Sequence, residues 1–238
     1  MITTTQVESD CKNVYKYFNT FNLGKLNLGI LGGFSGTVGT VIGSCNKKGD
    51  DIIRAKTKRP RTTFSEGQVN QQSKFSLVTG FMQPLNFLLK TSFKAAANNQ
   101  MTPFNYACSY ALSNAVIGEA PNYELDFSKV QISQGLLSRE TTAGAELVNG
   151  NVNFHWEDNS GNGSCTAIDK ATLLVYNVDK NEVSYSAGVV SRATKTGVIP
   201  IPYNEVGDRL LFYMYFQSAN DPLLVSQSQF LGSTEIAE

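Results

Sequence analysis

The sequence predicts an α+β chain: an N-terminal glycine-rich β-hairpin with two or three helices, followed by an antiparallel β-sandwich. Three observations predict it. Gly29, Gly32, Gly33, Gly36, Gly39, Gly43 and Gly49 punctuate one short stretch near the start. Two helix starts are written at Ser65 and Thr102. After Pro121 the apolar period falls from that of a helix to two, with turn residues about every 8–12 positions.

A chain of 238 residues has room for a real core in one or two domains. Its formal net charge is zero, but the charge is segregated. Residues 1–118 hold 13 Lys/Arg against 5 Asp/Glu, and residues 119–238 hold 7 against 15. Such a split marks two surfaces of opposite sign. The basic half suits nucleic acid, an acidic protein, or the acidic half of a neighbouring copy. No stretch is apolar for the roughly 18 residues a membrane helix needs. The first residues carry acids and no apolar core of a secretory signal, so export by that route is not expected. Cys11, Cys45, Cys108 and Cys165 are scattered without ligand spacing, which predicts free thiols rather than a zinc site.

Residues 1–27 read as a polar arm carrying Tyr15, Tyr17, Phe18 and Phe21. Residues 28–120 read as a basic hairpin-plus-helices module. Its first part alternates glycines with short apolar pieces, Phe34 to Ile42 and Ile52 to Ala55, and Asn46-Lys47-Lys48-Gly49 is the expected loop between the arms. Lys47, Lys48, Arg54, Lys56, Lys58, Arg59 and Arg61 make the second arm cationic, offset only by Asp50 and Asp51. These seven are the candidate partner-binding residues. Cations also discourage an edge strand from unwanted pairing. The apolar residues of this hairpin need a surface, and Phe81, Leu85, Leu88 and Leu112 are the candidates nearest in sequence, a neighbouring copy being the other.

Ser65-x-x-Gln68 is a capping-box pattern and opens a helix. Pro84 breaks or kinks it, with Gly80 at the carbonyl the ring would strike. Thr102 then caps a helix whose first position is Pro103, and Gly118 is the expected stop. Ala107, Ala111 and Ala115 let this helix approach its predecessor closely.

Residues 121–238 read as the sandwich. Tyr123, Leu125 and Phe127 alternate, and Val130 and Ile132 follow in new phase. Asn149-Gly150 is a hairpin turn, followed by Val152, Phe154 and Trp156 in alternation. Apolar strands are expected at Leu173–Tyr176, Val183–Tyr185, Val198–Ile201, Leu210–Phe216 and Leu223–Phe230. About seven such strands with short turns describe an immunoglobulin- or fibronectin-like sandwich, with Trp156 at its centre.

Several stretches mark a resemblance. They are GILGGFSGTVGTVIGS at 29–44, RPRTT at 59–63, KFSLVTGFMQPL at 74–85, MTPFNYACSYALSNAVIGEAPNYELDFSKVQIS at 101–133, FHWEDNSGNGS at 154–164 and DKATLLVYN at 169–177. They are similar to an uncharacterised protein family of Bacteroidota and their phages. The front half also looks like a wider pattern of phage-like structural proteins. The chain departs from the family at Phe64-Ser65-Glu66-Gly67-Gln68, where members carry Pro-x-Gln. The resemblance implies no assigned activity.

No catalytic or metal-binding residue and no cofactor is expected. His155 is the single histidine, on an alternating strand, so no nucleophile has a conventional base. No phosphate loop follows the glycines. Asp158, Asn162 and Asp169 sit near glycine turns, but their spacing is not that of a calcium loop. The expected function is therefore non-enzymatic. The chain reads as a structural component of a phage virion or similar assembly, in the virion or cytoplasm, packing a basic hairpin against an acidic sandwich. Nucleic-acid binding through Lys47–Arg61 is the alternative. Carbohydrate binding by the sandwich through Trp156 and Tyr203 is the weaker one.

Overall fold

The computed structural model describes residues 25–26, 33–46, 49–56, 63–97, 101–139 and 142–237. The chain divides into two compact units, Met1–Thr63 and Phe64–Glu238. The N-terminal arm, apart from residues 25–26, lies outside the described residues, as does the linker 98–100.

The first unit is an antiparallel sheet of four short strands, β1 (Lys25–Leu26), β2 (Phe34–Val38), β3 (Val41–Cys45) and β4 (Asp51–Ala55), in that spatial order. The expected loop joins β3 to β4. The Gly49 N–H reaches the Asn46 carbonyl at 3.1 Å, and the Asn46 side chain accepts the Asp50 N–H at 2.9 Å. The first arm is not one strand, however. It folds back at Gly39-Thr40, with Val38 opposite Val41 and Gly39 at φ 57°, so the glycine-rich stretch is a meander rather than one long hairpin. A left-handed residue in a two-residue turn costs glycine nothing. Gly43 is needed for a second reason: a Cβ there would lie 2.7 Å from the Phe34 ring.

In the second unit, α1 (Glu66–Met82) begins at Ser65, where both bonds of the capping box form. The Gln68 N–H meets the serine hydroxyl, and the Gln68 side chain accepts the Ser65 N–H at 3.0 Å. The helix breaks over 83–85, where Pro84 stands, and restarts as α2 (Asn86–Ser92). Thr102 caps α3 (Pro103–Asn114), its hydroxyl accepting the Asn105 N–H at 3.2 Å. This helix ends earlier than Gly118. Gly118, at φ 87°, lies inside β5 (Val116–Glu119), which pairs with β6 (Asn122–Leu125) across the Ala120–Pro121 turn. The hairpin captures Val116, which the helical spacing had claimed.

Seven strands follow: β7 (Ala143–Val148), β8 (Asn151–Trp156), β9 (Lys170–Asn177), β10 (Glu182–Ser191), β11 (Thr196–Pro200), β12 (Arg209–Gln217) and β13 (Gln229–Glu235). They form a three-stranded sheet, β11-β8-β7, and a four-stranded sheet, β10-β9-β12-β13. Asn149 and Gly150 both take positive φ in the β7–β8 turn, as an Asn-Gly hairpin requires. Two positions differ from the sequence reading. Val130–Ser133 is buried but is no strand, and the last strand starts at Gln229, six residues after Leu223. The segment before it is held differently: Ser226 donates its N–H to the Phe216 carbonyl, and Ser228 donates its N–H to the Ser133 carbonyl.

One core lies between the sheets. Val152, Phe154 and Trp156 meet Leu173, Val175, Leu210, Phe212, Met214 and Phe216 there. The other face of the four-stranded sheet, Leu174, Tyr176, Leu211, Tyr213 and Tyr215, packs under the helices with Val78, Phe81, Leu85 and Ala111. Strands β9 and β12 are therefore buried on both faces, which explains their near-continuous apolar runs. The helices consequently belong with the strands that follow them, not with the glycine-rich segment as the expected boundary at 120 implied. The architecture is mixed α+β, mostly antiparallel β.

Candidate functional site

Of the seven candidate partner-binding residues, Arg54 and Lys56 lie on and just after β4, both exposed. Lys47, Lys48, Lys58, Arg59 and Arg61 lie outside the described residues. The β4 strand is exposed along its whole length, Ile52 and Ile53 included, and Val38 on β2 is 54% exposed. In β4 pairing, the Lys56 N–H reaches the Thr40 carbonyl at 2.8 Å and the Asn46 N–H reaches the Asp50 carbonyl at 3.0 Å. Strand alternation then aims the peptide groups of Asp51, Ile53 and Ala55 outward, along the sheet's open edge. Neither hydrophobic core contains a described residue earlier than Val78. Phe81, Leu85 and Leu88, the docking residues suggested by sequence proximity, are consumed by the second unit's own core, and Leu112 packs half-buried against it.

The carbohydrate reading loses its main residue. Trp156 is 3% exposed, stands edge-on to Phe216 at 5.9 Å, and donates its indole N–H to the Arg192 carbonyl at 2.7 Å. Tyr203 stays exposed and donates to Glu205 at 3.1 Å. His155 is exposed on β8, its ring lying over Gly144 of the neighbouring strand, where a Cβ would clash at 2.4 Å. The Asp158 carboxylate accepts the Ser160 N–H at 2.9 Å, which holds its pKa below the usual carboxylate range. Asp169 accepts the N–H and hydroxyl of Thr166 at 2.8 and 2.7 Å. Both act as turn-forming side chains. Cys108, buried on α3, has its thiol pushed up to about 11 by desolvation, which leaves it protonated and unreactive near neutral pH.

The turn after β10 holds a group that sequence reading missed. Arg192 is fully buried, follows β10 in a short 3-10 turn (Arg192–Thr194), and reaches three oxygens of other segments. Its guanidinium donates to Asn159 Oδ1 at 2.5 Å and to the Ser138 carbonyl at 3.1 Å, and its Nε faces Asp169 Oδ2 at 3.4 Å. The Phe216 ring lies 3.9 Å beneath it. Of Asp158, Asn162 and Asp169, the residues weighed for calcium, Asp169 thus faces a built-in cation. Nothing local in Ser191-Arg192-Ala193-Thr194 signals this, because all the partners are distant in sequence.

The second unit also carries an aromatic cleft of about 490 Å³. Phe81 forms its floor with Tyr176 and Phe127, at centroid distances of 4.6 and 5.6 Å. Gly80 leaves its α1 side open, with nothing within 4 Å of a would-be Cβ. Burial pushes the Tyr176 phenol up to about 12, and its hydroxyl bonds to Asn181. The polar lining, Ser76, Glu124, Asn181 and Arg209, contains no thiol or histidine. The cleft therefore offers apolar surface without an evident nucleophile–base pair.

No helix among the described residues is long and apolar enough to cross a membrane. No curated protein matches the chain. The glycine-rich meander, the capped helices and nearly all of the two facing sheets fall inside one family model, matched over residues 33–232, and the chain accordingly belongs to the family of unknown function DUF6266.

Proposed function

We propose that this chain is a non-enzymatic structural subunit of a multi-subunit assembly, of the kind found in a phage virion. The basic edge of its glycine-rich sheet packs on the acidic surface of a neighbouring copy. The observation that carries this reading is the unclad β4 strand. A small sheet with Val38, Ile52 and Ile53 exposed and none of its described residues in either core lacks, among those residues, the burial that stabilises such sheets in water. A cover from outside would supply it.

Charge favours an acidic cover. Counted along the sequence, residues 47–61 hold seven cations against two acids, so two copies meeting through this same segment would bring like net charge together, which repels. The second unit offers the complement. Glu119, Glu124, Glu146, Glu157, Glu182 and Glu235 are exposed and make no ion pair among the described residues. A basic patch meeting a different, acidic patch is a heterologous contact, which closes into rings or extends into filaments. The strand order, three strands β11-β8-β7 facing four strands β10-β9-β12-β13, supports the immunoglobulin- or fibronectin-like reading of the sandwich. That fold alone does not name a partner.

Sedimentation velocity at low and high salt tests the proposal. We expect concentration-dependent large species at low salt that dissolve as salt screens the contact. Val38→Asp and the double change Arg54→Glu with Lys56→Glu should each abolish them while the melting of the second unit is retained. A protein that stays monomeric at high concentration in low salt would refute the reading. Monomers that instead retain DNA on a filter at low salt and release it steeply with salt would establish the nucleic-acid alternative.

A further inference from the structure

We propose that the open edge of β10 pairs with the same edge of a second copy across a two-fold axis near Tyr185. The pairing joins two four-stranded sheets into one antiparallel sheet. Strand β10 ends the order β10-β9-β12-β13, so one of its sides has no strand neighbour among the described residues. The Val178 N–H meets the Arg209 carbonyl at the start of β12, which turns the peptide groups of Asn177 toward β10. Asn177, Val175 and Leu173 then exchange hydrogen bonds with Glu182, Ser184 and Ser186. The peptide groups of Val183, Tyr185 and Ala187 consequently face outward, and no other backbone group among the described residues answers them.

Exposed edges invite pairing, and proteins guard them with charges, proline or bulges. The other edges of the two facing sheets are guarded: β7 carries Glu146, β11 ends at Pro200 and β13 ends in Glu235. From Val183 to Ala187, β10 has neither charge nor proline. Its bulge at Gly188 and Val189, with Gly188 at φ 71°, comes after this stretch and sets where a straight ladder stops. What remains is a short, uncharged, open ladder.

A second copy of β10 is the strand that fits it. About a two-fold axis at Tyr185, Val183 faces Ala187 of the second copy and the two Tyr185 residues face each other, so outward groups meet outward groups along the ladder. Each Tyr185 ring already lies 6.1 Å from Phe87 of α2, so pairing gathers four aromatic rings on one face, and cross-strand aromatic pairs stabilise such ladders. Phe87 is 68% exposed, Tyr185 44% and Val189 75%. Aromatic side chains carry about 150–250 Å² each, so this patch and the strand backbone bring two copies to roughly 1,000 Å² of buried surface, the threshold for a specific interface. Charge also favours the antiparallel arrangement. The Glu182 end of each strand meets the far end of the other, where a Cβ on Gly188 would lie 3.8 Å from the Lys170 side chain. Glu182 and Lys170 make no ion pair among the described residues, so each end offers the charge the other lacks.

Sedimentation velocity of the full chain in high salt tests this, because salt screens the contact proposed for the basic edge and leaves a strand ladder in place. We expect a monomer–dimer equilibrium half-formed at about 10–100 µM, the weak range that suits a small interface. The double change Arg54→Glu with Lys56→Glu should leave this dimer intact, which separates it from the basic-edge assembly. Tyr185→Lys, which sets two cations opposite each other at the axis, should weaken the dimer at least about tenfold without lowering the melting temperature. Amide exchange of the unaltered chain reads the register directly. The N–H groups of Val183, Tyr185 and Ala187 should slow as the protein is concentrated, whereas those of Ser184 and Ser186, already bonded to β9, should not change. A chain still monomeric at roughly 1 mM overturns the proposal. So does a dimer that Tyr185→Lys leaves intact, one that is lost with Arg54 and Lys56, or one in which the three outward amides exchange as fast as in the monomer.

Discussion

At the scale of single residues, Arg192 is the most consequential side chain in the second unit. A fully buried guanidinium survives only because Asn159, Ser138 and Asp169 surround it. Arg192→Met leaves the Asp169 carboxylate buried without its cation, and we expect a loss of about 3–5 kcal/mol in urea denaturation. Adding Asp169→Asn, which keeps an acceptor for Thr166, should recover part of that loss; no recovery would mean the cost is packing rather than charge. Asp208 makes a pH-dependent contribution. The Asn177 side-chain amide donates to it at 2.8 Å, and with the Glu205 N–H and the nearby Lys180 it holds the Asp208 pKa below the usual carboxylate range. A depressed folded-state pKa means the contribution is complete above the unfolded value of about 4 and is lost as pH falls through the folded value. Melting temperatures followed from neutral pH to pH 3 should therefore fall in acid. Asp208→Asn should flatten that dependence while melting lower at neutral pH.

At the scale of elements, α1 separates local from tertiary causes. Its start is local: Ser65→Ala removes one half of the capping box and should cost about 1 kcal/mol. Gly80 is the converse case. It sits in the helix interior with open space where a Cβ would go, so Gly80→Ala should raise stability by about 0.5–1 kcal/mol. The same change puts a methyl group at the wall of the aromatic cleft. Gly197 on β11 looks equivalent in sequence but is not. A Cβ there would stand 2.4 Å from a Leu173 methyl in the core between the sheets. Gly197→Ala should cost about 1–3 kcal/mol through overpacking. Thermal melts of the three variants should order them Gly80→Ala above wild type, then Ser65→Ala, then Gly197→Ala.

At the scale of the whole molecule, the two units have different reasons to be folded. The second has two cores, one between the sheets and one between helices and sheet, and every described residue in them is its own. A fragment of residues 64–238 should therefore melt cooperatively, with a transition close to that of the full chain. An unfolded fragment, lacking dispersed amide resonances, would show that the glycine-rich sheet is needed for the fold. That sheet, by contrast, shows turns, ladder hydrogen bonds and an aromatic ring over a glycine, with none of its described residues in a core. Hydrogen exchange should report it directly: fast over 34–55 in dilute protein, slowing when subunits assemble.

What the sequence by itself determined was set by neighbours along the chain. The capping box at Ser65, the break near Pro84, the Thr102-Pro103 start and the Asn149-Gly150 turn depend on residues within a few positions, and each forms as expected. Strands β8 to β12 were legible for the same reason, through period-two alternation and turn residues, whereas β7 was implied only by the Asn149-Gly150 turn and β13 starts six residues later than expected. The tertiary structure alone decided what required distant partners. The stop of α3 moved because Val116 gains Leu125 across a hairpin, and helical spacing contains no term for that competitor. The first glycine-rich arm folded at Gly39 because strand pairing satisfies its peptide groups, which apolar pattern does not count. The helices joined the four-stranded sheet because the second face of β9 and β12 needed cover. The candidate sites divide in the same way. The basic edge was visible as a run of charge. Arg192 was not, because a buried cation is defined by partners brought together from segments distant in sequence.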